Sequence, residues 1–318
     1  MTILPNRKLD TVAAAPVFIV GVPRSGTTWL QRMILSHPRV CGGQESHFFC
    51  TFAPAIELFY PDTLGIRAVG LPNYWTKAAF WEELRGLWRR TMSPVIEAKS
   101  SATILLEKTP LHARHMNAIL DVFPEGRFIH IIRDSRAVVA SMLAASRVNF
   151  GKHWAPASAF NACRMWKSTV LLANRAGDSL PAGRYMRLHY EQLYASPVEE
   201  ILRVFKFIGL DLSTDEAEQI VTEHEFARQK KIGGSPIPAP GKGTDKTTDA
   251  DAAIRKGIPD SWRKDLTYWQ QLVVWLYTRK VMKRLGYSRT GWNPKSDDRD
   301  IRTAEHAHDG AARAQVSS

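Results

Sequence analysis

Cysteine is scarce in this sequence, with three residues, Cys41, Cys50 and Cys163. No two of them form a C-x-x-C pair, and no histidine stands at zinc-ligand spacing from them. An odd number of scattered cysteines argues against both a disulfide framework and a structural metal site. We therefore expect no metal ion and a reducing compartment, the cytoplasm.

Long apolar runs are also missing. No stretch of the chain reaches the ~20 apolar residues that cross a bilayer, so we expect no transmembrane segment. Arg7 and Lys8 precede TVAAAPVFIV in the manner of a signal peptide, but Asp10 and Pro16 interrupt the apolar run. We interpret the end of this run as the first strand of the fold.

Acidic residues are fewer than basic ones, 31 against 43, which leaves a formal charge of +12. Such a balance predicts a polyanionic partner, which is a nucleotide, a nucleic acid or a membrane surface. A nucleic-acid or acidic-surface binding module needs a continuous basic stripe, whereas the distinctive Arg and Lys residues here stand singly at predicted strand ends. We therefore expect no nucleic acid as partner.

One lysine is missing where a nucleotide-binding loop needs it. Val17–Val20 predicts a buried strand, Gly21–Thr28 a turn and Trp29–Leu35 a helix. The nucleotide loop G-x-x-x-x-G-K-[ST] places a lysine after its second glycine. Gly26 matches that glycine, but Thr27 takes the place of the lysine.

The missing lysine points to a particular kind of anion. A nucleoside triphosphate carries dense charge on its γ-phosphate, which a kinase neutralises with the loop lysine and Mg²⁺. A phosphosulfate ends in a sulfuryl group with a single negative charge, for which backbone N–H groups, hydroxyls and one arginine suffice. The loop predicts a metal-free sulfuryl donor site. The alternative is a P-loop kinase or nucleotide hydrolase with an atypical loop.

Strand-like and helical segments alternate along the chain. This alternation predicts an α/β fold, with a P-loop-like central parallel sheet flanked by helices. Ligands on such sheets bind at the carboxyl ends of the strands, so Lys108 and Arg133 should share one rim with the loop. The predicted strands are 17–22, 103–106, 128–132 and 185–188, and the predicted helices between them are 115–123, 137–145 and 159–173.

We expect a single domain over residues 1–295, followed by a polar, disordered tail, 296–318. Residues 71–92 form an aromatic-rich insertion whose stripe of Trp81, Leu84, Leu87 and Trp88 has helical spacing. Such a stripe is more typical of core packing than of ligand contact. The helical insertions, together with residues 147–160, should form an acceptor lid, and the Gly- and Pro-rich segment 230–257 is a candidate flap.

Two segments carry a family resemblance. VGVPRSGTTWLQRM resembles the 5′-phosphosulfate loop of sulfotransferases that use 3′-phosphoadenosine-5′-phosphosulfate (PAPS). RFIHIIRDSRAVVAS, residues 127–141, is similar to the family's 3′-phosphate site, whose arginine and serine correspond to Arg133 and Ser141. Ser135 departs from the family's usual proline.

Two later segments extend the resemblance to about residue 267. Residues 184–210 are similar to the family's stretch that places a tyrosine near the adenine, here Tyr190. IRKGIPDSW resembles the element that closes over the 3′-phosphate, although Pro259–Ser261 depart from the usual Gly-Asp. The resemblance implies PAPS as donor and 3′-phosphoadenosine-5′-phosphate (PAP) as product, with these binding residues: Arg24, Ser25, Gly26, Thr27, Thr28, Trp29, Arg133, Ser141, Tyr190, Arg255, Lys256 and Gly257.

The same resemblance implies the catalytic residues. Lys108, in LLEKTPLH, should stabilise the oxygen that leaves with the phosphate, unless it merely pairs with Glu107 or another acid. HPRVCGGQESHFF resembles the tyrosylprotein branch, in which Glu45 falls at the position of the catalytic base. His112 is the alternative base, by analogy with the cytosolic branch, and His47 is a third candidate. Arg24 completes the predicted set.

These motifs predict the acceptor only as a chemical class, the hydroxyl of a small molecule, lipid, glycan or peptide.

The motifs do not decide whether the chain forms a homodimer. The cytosolic relatives carry a dimer motif, K-x-x-x-T-V-x-x-x-E, of which this chain keeps Thr267 alone.

Overall fold

The computed structural model describes residues 11–12, 15–59, 71–148, 151–225 and 257–293. They form two compact units, Met1–Ile132 with Ser168–Gly257 and Arg133–Lys167 with Ile258–Ser318, which are described in turn. The predicted tail and most of the candidate flap lie outside the described residues. The single domain over residues 1–295 stays a prediction.

A five-stranded parallel sheet forms the centre of the first unit, with strand order β2-β3-β1-β4-β5. The α/β fold predicted from the sequence is thereby confirmed. The strands are β1 (Val17–Gly21), β2 (Val40–Gly42), β3 (Ile104–Lys108), β4 (Arg127–Ile132) and β5 (Tyr185–His189). Strand β2 was not predicted, because three residues are too few to show a period.

Eleven helices lie in the described ranges, and none of them has both the length and the apolar character to cross a membrane. They are α1 (Thr27–Leu35), α2 (Phe48–Phe59), α3 (Lys77–Glu97), α4 (Met116–Val122), α5 (Ser135–Ala145), α6 (Ala159–Asp178), α7 (Tyr190–Ala195), α8 (Pro197–Ile208), α9 (Thr214–Glu223), α10 (Trp262–Asp265) and α11 (Tyr268–Arg284). Short 3-10 turns cover Leu71–Asn73, Pro110–Arg114 and Pro259–Ser261.

The sheet separates two apolar cores. Successive side chains of a strand point to opposite faces, and every residue of β1 is buried. Phe18 and Val20 belong to the core that includes α3 and α4. Val17 and Ile19 belong to the core that includes α1 and α8. The continuous apolar run of β1 is therefore what a strand covered on both faces requires.

Helix α3 carries the aromatic stripe predicted from the sequence. Trp81, Leu84 and Trp88 are buried in the first core. The ring of Trp88 lies 5.9 Å from that of Phe18 and 5.6 Å from that of Phe123, measured between centroids. The stripe is core packing, the interpretation that its spacing favoured. An acceptor lid formed by the rest of the insertion stays a prediction.

The second unit is organised around Arg136 near the start of α5. Its guanidinium pairs with Asp134 at 2.6 Å, lies 4.0 Å from the centroid of the Trp262 ring and donates to the Ser288 carbonyl at 3.0 Å. This unit also contains α10, α11 and a two-stranded antiparallel hairpin, β6 (Tyr287–Ser288) with β7 (Gly291–Trp292). A buried arginine with this many partners fixes the position of the α5 N-terminus.

We predict that Trp88→Ala lowers the free energy of unfolding by about 3–5 kcal/mol, because it leaves a large cavity among aromatic rings. The control is Trp75→Ala, whose side chain is 42% exposed and whose loss should cost about 1 kcal/mol or less. Urea denaturation of both variants measures the difference. Equal losses would contradict the core position of α3.

Candidate active site

The loop between β1 and α1 has the backbone of an anion-binding turn. Arg24 and Gly26 both have left-handed conformations, with φ of 77° and 96°. Ser25 between them is fully buried, and its hydroxyl has no hydrogen-bond partner among the described residues. Gly26 caps the N-terminus of α1, whose first N–H groups have no partner within the helix. Backbone N–H groups and hydroxyls in such an arrangement are suited to binding an anion.

Tyr190 packs directly against this loop. Its side chain is 1% exposed, and a Cβ atom at Gly26 would lie 2.4 Å from its ring. The ring also meets that of Trp29 edge-on at 5.8 Å, and its hydroxyl donates to the Gly257 carbonyl at 2.5 Å. Tyr190 therefore connects the loop to the first described residue of the predicted 3′-phosphate element. Its contact with adenine stays a prediction.

Lys108 lies at the carboxyl end of β3, beside the loop. Its side chain is 5% exposed, and Nζ donates to Glu45 Oε1 at 2.5 Å and to Thr28 Oγ1 at 3.4 Å. Lys108 thus pairs with an acid, as the alternative expected, but the acid is Glu45; Glu107, its neighbour in β3, points to the opposite face of the strand. Lys108 links the anion loop to the predicted base.

Glu45 lies between the side chains of Lys108 and His47. His47 Nε2 lies 3.4 Å from Glu45 Oε2, opposite the oxygen that contacts Lys108. Burial raises the pKa of Glu45, but the hydrogen bond to His47 and the charge of Lys108 outweigh it, so the pKa is lower than its ordinary value. The hydrogen bond to Glu45 raises the pKa of His47. Glu45 is consequently a carboxylate near neutral pH, with its side chain 35% exposed.

His112 has both ring nitrogens occupied. Nδ1 lies 2.9 Å from Glu107 Oε2, and Nε2 accepts from the backbone N–H of Phe49 at 3.1 Å. This pattern assigns the proton to Nδ1. The side chain is fully buried, so neither nitrogen is open to an acceptor. The geometry thus favours Glu45 over His112 as the base.

Glu107 is a site residue that was not predicted from the sequence. Its side chain is 2% exposed, and its Oε1 accepts from the Ser46 hydroxyl at 2.8 Å and from the Thr109 hydroxyl at 2.7 Å. Burial raises the pKa of Glu107, but its interactions with His112, Thr109 and Ser46 lower it far below its ordinary value. The sequence signal that could have identified Glu107 is a glutamate at a core-facing position in the segment TILLEKTP.

Two of the predicted 3′-phosphate residues, Arg133 and Ser141, belong to the second unit, whereas Gly257 belongs to the first. Arg133 and Ser141 are 9% and 8% exposed. The Arg133 guanidinium donates to the Ile258 carbonyl at 3.4 Å, and the Arg133 carbonyl accepts from the Trp166 indole at 3.0 Å. Arg255 and Lys256 lie outside the described residues. No group of three or more His, Cys, Asp or Glu side chains in the described ranges could hold a metal ion.

The glycine-containing turn follows the central strand β1, and the lysine–carboxylate pair lies at the end of β3, its neighbour in the sheet. Ligands on parallel α/β sheets bind at this edge. The sequence model described as "Sulfotransferase family" matches residues 16–215. The chain belongs to the sulfotransferase family.

Two curated relatives show how far the likeness extends. The protein-tyrosine sulfotransferase of Drosophila melanogaster is 29% identical over an alignment of 231 residues, and the match covers 68% of this chain and 41% of that protein. The omega-hydroxy-beta-dihydromenaquinone-9 sulfotransferase Stf3 of Mycobacterium bovis is 27% identical over an alignment of 255 residues, and the match covers 64% of this chain and 66% of that protein. The chain thus spans less than two thirds of the length of both relatives.

Solved structures share the fold. Mouse sulfotransferase SULT7A1, complexed with PAP, superimposes with a TM-score of 0.56 at 17% identity, over 87% of this chain and 88% of that one. The sulfotransferase domain of the Synechococcus PCC 7002 olefin synthase gives a TM-score of 0.54 at 20% identity, over 86% and 95% of the chains. These similarities support the fold class.

We predict that Gly26→Ala destabilises the protein more than Gly183→Ala. Both glycines have positive φ, so each alanine carries a backbone cost of about 1–2 kcal/mol. At Gly26 the new methyl group also meets the Tyr190 ring, which adds about 1–3 kcal/mol of steric strain. Gly183 is the matched control, because a Cβ atom there would have open space for 4 Å around it. Equal unfolding free energies in urea would show that Tyr190 does not pack against the loop.

Proposed function

We propose that this protein transfers a sulfuryl group from PAPS to the hydroxyl of an alcohol or phenol, with Glu45 as general base and Lys108 stabilising the leaving oxygen. One observation carries the proposal. Lys108 Nζ contacts both the Glu45 carboxylate and the Thr28 hydroxyl of the anion loop. A single cation therefore lies next to both the predicted base and the predicted donor site.

The donor residues are proposed from the loop outward. The buried Ser25 hydroxyl, which has no described partner, is suited to donate to an oxyanion, as are Arg24, Thr27, Thr28 and the α1 N-terminus. Bound PAPS supplies the sulfuryl group and leaves as PAP. The remaining donor contacts are proposed from the resemblance and comprise Trp29, Arg133, Ser141, Tyr190, Arg255, Lys256 and Gly257.

The Lys108–Glu45 pair suggests how the base is activated. Before the donor binds, the charge of Lys108 helps to hold the Glu45 pKa down, which makes Glu45 a weak base. When Lys108 donates to the leaving oxygen instead, that contribution falls and the pKa of Glu45 rises toward its ordinary value. Glu45 then accepts the acceptor's proton more readily. Donor binding and base activation are linked through one lysine.

A P-loop kinase or nucleotide hydrolase is the alternative. Its loop lysine would have to stand where this chain has Thr27, which is 4% exposed at the start of α1. A buried threonine cannot supply the positive charge that a γ-phosphate requires. The family membership and this substitution together favour sulfuryl transfer.

The acceptor is proposed only as a hydroxyl. The two curated relatives are named for a protein tyrosine and a hydroxylated menaquinone, so a phenol and an alcohol both occur among their acceptors. Tyr74 and Trp75 of the insertion are exposed and are candidates for the acceptor wall. A cytoplasmic location and a homodimer stay predictions from the sequence.

We predict that PAP raises the Tm without added metal, while ATP with Mg²⁺ raises it much less. A ligand that binds the native state stabilises it by about 2.7 kcal/mol at a hundredfold excess over Kd. AMP, which lacks the 3′-phosphate, and Arg133→Ala complete the design, because the PAP shift should fall to the AMP level in that variant. Equal Tm shifts with PAP and with ATP plus Mg²⁺ would contradict the assignment of PAPS as the donor.

We predict different acceptor dependence for the two catalytic residues. Glu45→Gln keeps the shape and removes basicity, so kcat should fall ~10²- to 10⁴-fold while PAP binding survives. Lys108→Ala should also lower kcat, because charge on the leaving oxygen develops chiefly in the transition state. A more acidic phenol needs less help from a base and should rescue Glu45→Gln but not Lys108→Ala.

Near-native turnover by Glu45→Gln, together with an acceptor-dependent rescue of His112→Ala, would overturn the assignment of Glu45 as the base. Turnover would be measured with labelled donor against phenols of graded acidity.

A further inference from the structure

We propose that Glu107 is a positioning residue, which holds the loop that carries the catalytic base in place while Lys108 serves the leaving oxygen. The inference rests on the proposed function of Glu45. It deepens that function by naming the group that keeps the base fixed during transfer. Glu107 itself is buried and contacts no reacting atom in this assignment.

The two faces of β3 give its last two side chains different surroundings. Glu107 and Lys108 are neighbours, so their side chains leave the strand on opposite sides. The loop after β2 crosses the end of this strand, since β2 pairs with β3 in parallel register, Gly42 opposite Leu106. Two consecutive loop residues, Glu45 and Ser46, then contact Lys108 and Glu107 respectively.

These two contacts are not equivalent during the reaction. Lys108 has a second task in the proposed mechanism, so its contact with Glu45 weakens when the base is needed. The contact between Ser46 and Glu107 has no such competitor. Glu107 Oε1 accepts from the Ser46 hydroxyl at 2.8 Å and from its backbone N–H at 3.3 Å. The residue next to the base is therefore fixed independently of the lysine.

Further hydrogen bonds extend the same anchor along the loop. The Thr109 hydroxyl donates to Glu107 at 2.7 Å and accepts from the backbone N–H of His47 at 3.2 Å. The His112 ring joins Glu107 to the backbone N–H of Phe49, at 2.9 and 3.1 Å. His47 has φ of 50°, a conformation that non-glycine residues keep only when their surroundings impose it.

A neutral glutamine cannot replace this carboxylate. A carboxylate accepts at both oxygens, whereas an amide offers one acceptor and one donor group. In Glu107→Gln, either the amide donor faces the Nδ1–H of His112, or it faces the hydroxyls of Ser46 and Thr109. A change of the His112 tautomer would place its Nε2–H against the Phe49 N–H. The substitution thus disturbs the anchor without changing side-chain volume.

The test compares Glu107→Gln with Glu200→Gln. Glu200 is also a buried carboxylate, 3% exposed and paired with Arg203 at 3.0 Å, but it lies on α8. We expect kcat of Glu107→Gln to fall about 10- to 100-fold through misplacement of the base, with donor KM and the PAP-induced Tm shift unchanged. Glu200→Gln should keep kcat within about twofold, because its partners, Arg203 and Gln192, are not among the residues assigned to the reaction.

Two readouts separate positioning from a general loss of stability. An acidic phenol should rescue Glu107→Gln as it rescues Glu45→Gln. The double variant Glu45→Gln/Glu107→Gln should be no slower than Glu45→Gln, because residues that act through one group are not additive. Additive losses or a lack of rescue would overturn the inference.

A second variant covers the case in which Glu107→Gln does not fold. Ser46→Ala removes the hydroxyl contact to Glu107 and leaves the carboxylate with its other partners. It should lower kcat in the same acceptor-dependent way, by a smaller factor. Full turnover by Ser46→Ala with ordinary phenols would count against the anchor.

Failure of this inference is distinguishable from failure of the proposed function. If Glu45→Gln retains turnover, the proposed base is wrong. If Glu45→Gln is impaired while Glu107→Gln matches Glu200→Gln, the base stands and the anchor does not.

Discussion

The parallel pairing of β1 with β3 and of β3 with β2 is the constraint on which the candidate site depends. It places the ends of three strands side by side, with Ile19 opposite Lys108 and Gly42 opposite Leu106. The anion loop and the loop that carries Glu45 therefore emerge at the same edge as Lys108. Because every strand of a parallel sheet runs in the same direction, this coincidence follows from topology.

Charge at this edge is distributed so that each buried group has a partner. Lys108 is almost fully buried and would be costly to keep ionised alone, but it contacts the Glu45 carboxylate. Glu107, on the other face of the same strand, is balanced by hydrogen-bond donors instead. The two carboxylates thus have different surroundings. Glu45 remains partly exposed, whereas Glu107 is enclosed, and the pKa of each carboxyl lies below its ordinary value.

His112 illustrates why a family likeness does not assign a base by itself. A histidine soon after the lysine is the base expected from the cytosolic branch. In this chain it donates from Nδ1 to Glu107 and accepts at Nε2 from Phe49. It lies in the core, against the rings of Phe18 and Phe49, and its proposed role is to support the loop that carries Glu45.

Much of the fold was determined by the sequence alone. The apolar runs at 17–20 and 128–132, the helical periods between the strands and the glycine frame of the loop are local signals, and they predicted the parallel sheet and the anion site. Strand β2 left no such signal, because three residues carry no period. The partners of Glu107 are 61 residues away in the case of Ser46, and no local pattern encodes a contact at that separation. Tertiary structure decided that Glu45 faces Lys108 and that Glu107 is enclosed beneath the loop. This arrangement depends on the face of β3 from which each side chain leaves and on where the loop after β2 crosses β3.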